Sequence, residues 1–274
     1  MRIVAPLRVG HWRVLRTEWT KVATVRSTPW LAAGLVALMI GTGALTVWSL
    51  SSSECPVDAT GCGDEDLPRL ALAGVYLGQV LAVLAGVLVV TPEYATGEIR
   101  TTLQVMPRRA RVFAAKIAVL LAIVTPGAAA AVLGSIGAAR LFLPGRRFDS
   151  TTGFAEPTLA DGPTLRAAGG TVLYLALLAL LAFGVAMAMR SGPGAIAAVF
   201  AALFILPSVA ALMTDERWRE WLLKVSPMTA GLSIQVTRRI DALPIGPWQG
   251  LGVVAAETGA ALLVAAVLFL RRDA

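Results

Sequence analysis

Six long apolar runs, separated by shorter polar or proline- and glycine-rich stretches, constrain this 274-residue chain more than any other feature. About 20 consecutive apolar residues cross the hydrocarbon core of a bilayer as an α-helix. The runs fall at residues 30–50, 69–91, 112–143, 167–189, 195–213 and 250–270. Residues are 57% hydrophobic and mean hydropathy is +0.73, above the roughly 45–50% apolar content of a soluble domain. The expected fold is therefore all-α and integral to a membrane, with 1–274 forming a single transmembrane domain. The third run is unusually long and contains Pro126-Gly127, where a kink or strong tilt is expected.

The segments between the runs carry the rest of the architecture. Within residues 1–29, Trp12, Leu15, Trp19 and Val22 share one helical face and Arg13, Arg16, Thr17, Thr20 and Thr24 the other. Aromatic and aliphatic groups opposite basic and hydroxyl groups describe a helix lying in the membrane interface. Residues 214–249 contain two pieces too short to span. Trp218, Trp221, Leu222 and Val225 mark one amphipathic helix, with Glu220 and Lys224 paired on its wet side. Pro227 breaks the chain, and Leu232, Val236 and Ile240 mark a second, so a re-entrant or interfacial hairpin is expected before the last span.

Orientation follows from the basic residues. With the N-terminus inside, 14 of 24 Lys and Arg residues fall on cytoplasmic flanks, and the loop 51–68 holds five carboxylates ahead of any basic residue. Both termini are expected in the cytoplasm and the 214–249 hairpin outside. Cys55 and Cys62 lie in the acidic loop, where an oxidising exterior permits a disulfide. A net charge of +7 accompanies no zinc or RNA-binding signature and no basic stripe beside stacking aromatics, so nucleic acid is not the expected partner.

Between the second and third runs lies a compact polar and basic island, residues 92–107. Thr91 can cap a helix, Pro92 suits its first turn and Glu93 its positive end. Ile99, Leu103 and Met106 repeat at helical spacing, Pro107 stops the pattern, and Arg108, Arg109, Arg111 and Lys116 lead into the next run. The sequence Glu93-Tyr94-Ala95-Thr96-Gly97-Glu98-Ile99-Arg100-Thr101-Thr102-Leu103, with Pro107, Arg109 and Lys116, resembles the loop after the second span of ABC-2 type transporter permeases. The motif covers about 25 residues, and the order of spans extends the likeness loosely over the chain.

That resemblance implies the membrane-spanning subunit of an ATP-binding-cassette exporter, dimeric, with ABC ATPase subunits as partners. It implies that 92–107 is the coupling helix touching the ATPase, through Glu93, Tyr94, Gly97, Glu98, Arg100, Thr101, Thr102, Leu103, Pro107 and Arg109. The N-terminal helix would be the connecting helix along the cytoplasmic surface, and the hairpin before the last span an external gate. Arg- and Ala-rich, Lys-poor usage points to a bacterial source and hence the bacterial plasma membrane. The cargo expected is amphiphilic: a drug, an antimicrobial peptide or a lipid.

The residues themselves offer little covalent chemistry. Lysine occurs only at 21, 116 and 224, never ending a Gly-x4-Gly-Lys-Ser/Thr loop, so ATP hydrolysis is expected in another chain. One histidine and two cysteines leave no metal cluster, and no cofactor is expected. Thr42, Thr46, Ser135, Thr171 and Ser208, inside the runs, read as local backbone bonders. Glu257 is the only ionisable residue well inside a run, a costly placement that makes it a candidate for a polar path, with Gln79, Tyr76 and Tyr174 as weaker ones. It also carries the alternative readings: a proton-coupled secondary transporter using Glu257, or a non-transporting membrane anchor.

Overall fold

Helix length sets the layout. The computed structural model describes residues 11–24, 27–52, 66–97, 109–142 and 159–271. Among these, six helices are long and apolar enough to cross a membrane, the architecture of a multi-pass membrane protein. A short N-terminal helix α1 (His11–Thr24) precedes the first of them, α2 (Ser27–Ser52). The second crossing comprises α4 (Val75–Leu88) and α5 (Thr91–Ala95), entered through the short α3 (Leu67–Ala71). Then come α6 (Arg109–Phe142) and α7 (Gly162–Met189). The fifth crossing is α8 (Gly192–Phe200) and α9 (Leu206–Leu212), joined by a π-helical turn at Ala201–Ile205. After α10 (Glu216–Val225) and α11 (Pro227–Leu232), α12 (Pro247–Arg271) makes the sixth.

The bundle forms around α7. Its most apolar window is 61% buried, against 22% for the same measure in α2, the fifth crossing and α12. Tyr174, Leu175, Leu178, Ala179 and Phe183 of α7 are buried against α4, α6 and α12. Lipid tails are as apolar as leucine, so helices in a bilayer gain from close approach rather than from hiding leucine. Small residues permit that approach: a Cβ placed on Gly86 of α4 would lie 2.1 Å from the Ala179 carbonyl oxygen of α7. The exposed Leu45, Leu133, Leu263 and Val264 need no further cover.

Two prolines fall inside crossings and are accommodated differently. The helix α6 runs unbroken through Pro126 over 34 residues, which at roughly 1.5 Å per residue is about 51 Å. A hydrocarbon core is about 30 Å thick, so at least one end of α6 protrudes. Pro207 instead follows the π-helical turn at Ala201–Ile205. Proline has no N–H for the ladder and its ring crowds the preceding turn, so a widened turn ahead of it relieves the clash.

The two ends of the bundle differ. One gathers α1, α5, the start of α6, the turn at Arg190 and the end of α12, with Arg109 Nη1 donating to the Phe269 carbonyl at 3.2 Å. The other gathers α3, the start of α7 and residues 213–246. At this second end α10 is an exposed amphipathic helix, capped by Asp215, whose carboxylate accepts from Arg217 N–H. Lys224 pairs with Glu220 at 3.0 Å, as its spacing predicts, and Trp218 and Trp221 meet edge to face in the open.

The second helix expected across Leu232, Val236 and Ile240 does not form. After α11 the chain makes a 3-10 turn at Ser233–Gln235, becomes extended at Val236, and enters a left-handed conformation at Arg239. Side chains from distant elements take the backbone groups a helix would have paired. Asp66 accepts from Thr237 N–H at 2.6 Å and Arg238 N–H at 3.2 Å, and from Thr237 Oγ1 at 2.7 Å. Arg166 donates to the Val236 carbonyl at 2.6 Å, and Gln235 Nε2 to Thr171 Oγ1 at 2.9 Å.

Candidate functional site

Four charged side chains from three elements converge at the end that carries α1. Lys116, two turns into α6, is 1% exposed yet ionisable. Its Nζ donates to Glu18 Oε2 of α1 at 2.8 Å and to Glu93 Oε1 of α5 at 2.7 Å. Lys21, one turn along α1 from Glu18, donates to the same Glu93 Oε1 at 3.0 Å. Glu18 and Glu93 are 2% and 6% exposed. Two cations against two carboxylates leave this cluster balanced, the condition under which buried charge is tolerated.

Local structure explains the convergence. Thr91 is the first residue of α5 rather than its cap: its hydroxyl donates back to the Val87 carbonyl at 2.8 Å, which carries helical geometry across the junction. Pro92 occupies the first turn, and Gly97, at φ +71°, stands in the left-handed region just beyond α5. Between them the turn points Glu93 inward at Lys116. In α1, Leu15 packs against Val112 and Ala115 of α6, and Glu18, one turn on, is carried to the same side.

The neighbours of Glu93 join the segment to the rest of the bundle. The Tyr94 ring lies 5.7 Å from the Arg190 guanidinium centre and its hydroxyl 3.8 Å from Met187 Sδ. Thr91 also abuts Gly192, where a Cβ would come within 2.5 Å of Thr91 Cγ2. Thus α5 touches the turn between the fourth and fifth crossings as well as α1 and α6. Of the residues the resemblance assigns to coupling, Glu93, Tyr94, Gly97 and Arg109 are placed here. Glu98, Arg100, Thr101, Thr102, Leu103 and Pro107 lie outside the described residues, as do Cys55 and Cys62.

The polar-path candidates form a separate group deeper in the bundle. Gln79 and Tyr174 are fully buried, with the Tyr174 hydroxyl donating to Gln79 Oε1 at 2.7 Å and Gln79 Nε2 facing Met228 Sδ at 3.4 Å. Tyr76 and Glu257 lie within electrostatic reach of Tyr174. Tyr76 is 44% exposed, and Glu257 has one buried oxygen, Oε2, without a hydrogen-bond partner. Thr46, Ser135, Thr171 and Ser208 each donate to the carbonyl four residues back, the local bonding read from the sequence.

The ion cluster was only half visible in the sequence. Glu93 and Lys116 stand out in the polar island and its flank, whereas Glu18 and Lys21 do not. On a helical wheel at about 100° per residue, Glu18 sits roughly 60° from Leu15, at the border of the apolar face. That border position, facing a span that opens with a lone lysine, was the available signal. Compared with models of protein families and with curated protein sequences, the chain matches none. Fold and site together define a multi-pass membrane protein with six candidate spans among the described residues and a buried ion cluster at one end.

Proposed function

We propose that this chain is the membrane-spanning subunit of an ATP-binding-cassette exporter of the ABC-2 type, one half of a homo- or heterodimeric pore driven by separate ATPase subunits. The observation that supports it best is the ion cluster. Glu93, at the start of the segment that resembles a coupling helix, is bound through Lys116 to both α1 and α6. Force applied to 92–107 by an ATPase closing on ATP would then move α1 and the long α6 together, tilting the spans. Glu93 serves this role inside the chain, leaving Glu98 and Arg100 to meet the partner.

In this reading the α1 end and both termini are cytoplasmic, in a bacterial plasma membrane. Residues 214–249 form the external re-entrant hairpin, whose buried α11 reaches the level of Gln79 and gates the path. The cargo is amphiphilic. A second reading, proton-coupled secondary transport, is favoured by one observation, the unpartnered buried oxygen of Glu257.

The experiment is co-purification of the chain with an ATPase encoded beside it, with hydrolysis and transport measured for Glu98→Arg and Arg100→Glu. Loss of association or uncoupled hydrolysis, with normal membrane insertion, supports the exporter. Unchanged assembly, hydrolysis and transport in both variants would remove its main support. Transport that ignores the ATPase and collapses with the proton gradient, and with Glu257→Gln, would favour the second reading.

A further inference from the structure

A cleft of about 380 Å³ runs between α1 and α6, within the range of sizes found for small-molecule sites. Leu15, Arg16 and Trp19 of α1 line it, with Ala118, Val119 and Ala122 of α6. Leu15 rests on Val112 and Ala115, and Glu18 on Lys116, so α1 lies alongside the first part of α6. Arg16 is thereby set at the level of the ion cluster. Ala118 and Ala122, both exposed and one turn apart, lead from there toward the middle of the long helix. Their small side chains leave an open trough, and Trp19, 47% exposed, stands beside it. The charge in this cleft has one sign. Glu18 turns away from it to Lys116, and no carboxylate lines it. Arg16 is exposed and makes no ion pair or side-chain hydrogen bond among the described residues, unlike Lys21 and Lys116, which both bind Glu93.

We propose that this cleft seats an anionic glycerophospholipid of the phosphatidylglycerol class. The Arg16 guanidinium donates to its phosphate, Trp19 stands at the level of the glycerol, and one acyl chain lies over Ala118, Val119 and Ala122. Arginine presents paired N–H donors that match phosphate oxygens, and its apolar stem can cross the edge of the hydrocarbon while the head stays at the interface. Tryptophan suits the same boundary, with an apolar ring and one N–H. The amine of a choline or ethanolamine head would meet no carboxylate here and would bring its own cation toward Arg16. A soluble anion would leave the apolar floor uncovered. One basic side chain at a bilayer surface favours an anionic lipid about fivefold. The site requires only that the chain spans a membrane, in either orientation.

The test uses the purified full-length chain in phosphatidylcholine nanodiscs holding a small fraction of phosphatidylglycerol with a diazirine in one acyl chain. After irradiation, the label is mapped by mass spectrometry. Label is expected on peptides containing Trp19 or Ala118 and Ala122. A phosphatidylcholine probe with the same diazirine chain, at the same fraction, should label them about fivefold less. Arg16→Gln should lower the phosphatidylglycerol label to that level without changing the thermal midpoint, and Arg16→Lys should keep most of it. Ala118→Phe, or Ala122→Phe should the first not fold, fills the trough without touching Arg16 and should abolish labelling there. Discs with one and with two copies of the chain separate the occupants: equal label in both supports the lipid, whereas label lost with two copies hands the cleft to a second copy and overturns the proposal. Absent label, label scattered over all lipid-facing peptides, equal labelling by the two probes, full labelling of Arg16→Gln, or full labelling of a folded filling variant would each overturn it as well.

Discussion

Lys116 Nζ lies 2.7 Å from Glu93 Oε1, and each side chain is less than a tenth exposed. The two residues are 23 positions apart, one at the start of the polar island and the other beyond its end, and their pairing draws the end of the second crossing onto the start of the third. With Glu18 on the same lysine, three elements share one cation.

Removing that cation should be costly. Lys116→Ala leaves two buried carboxylates with only the partly exposed Lys21 between them, and breaking a buried pair costs about 3–5 kcal/mol. Thermal unfolding in detergent should show a marked drop in midpoint. Lys116→Met combined with Glu18→Gln and Glu93→Gln should recover much of it, since neutral groups of similar volume replace buried ion pairs at little cost. An unchanged midpoint in Lys116→Ala would mean the cluster adds no stability.

Tyr174 and Gln79 should behave as one unit. Tyr174→Phe orphans Gln79 Oε1, a loss of about 1–3 kcal/mol for a buried acceptor. In a double-mutant cycle with Gln79→Leu, the coupling should be about 1 kcal/mol, near what interhelical hydrogen bonds give in bilayers. Additive effects in denaturant titration would contradict the bond at 2.7 Å.

Asp66 holds the irregular stretch after α11. Asp66→Ala removes the acceptor for three backbone N–H groups, those of Thr237, Arg238 and Arg69, and for the Thr237 hydroxyl. Hydrogen bonds to a charged group are worth about 1.5–3 kcal/mol, so exchange of the Thr237 and Arg238 amides should quicken about tenfold or more. Hydrogen-exchange mass spectrometry resolves it, and slow exchange in the variant would show that packing alone fixes the segment.

Gly86 and Gly137 offer a matched pair. A Cβ at Gly86 would lie 2.1 Å from the Ala179 carbonyl oxygen, whereas one at Gly137 meets nothing within 4 Å. Gly86→Ala should lower yield and unfolding temperature by forcing α4 from α7. Gly137→Ala should be neutral or raise stability by up to about 1 kcal/mol through helix propensity. Equal behaviour of the two, read by size exclusion and thermal melts, would refute the close approach.

Much of the fold was legible because a bilayer imposes a length rule that apolar runs reveal directly. Their ends were less legible. The fourth crossing, α7, begins at Gly162, five residues before its apolar run, because Asp161 accepts from Thr164 N–H and holds a polar first turn. The stretch 232–240 was misread as helix because its apolar spacing is local, while the groups that unwind it, Asp66 and Arg166, come from far along the chain. The site divided in the same way. Glu93 announced itself beside Pro92, but the burial of Glu18 depends on a lysine 98 residues away, which no window of helical periodicity contains.

That separation bears on how the protein is made. When α1 leaves the ribosome, Glu18 has no cation to bury against except its neighbour Lys21, because Lys116 has yet to be synthesised. At roughly 5–20 residues per second the wait is on the order of 5–20 s, during which two crossings must insert without the N-terminal helix seated. Chain translocation therefore proceeds with α1 unseated, and the arrival of Lys116 supplies the last charge of the cluster. A defect at Lys116 would then reveal itself early in biogenesis, as nascent chains open to proteases at the N-terminal segment, before any question of activity arises.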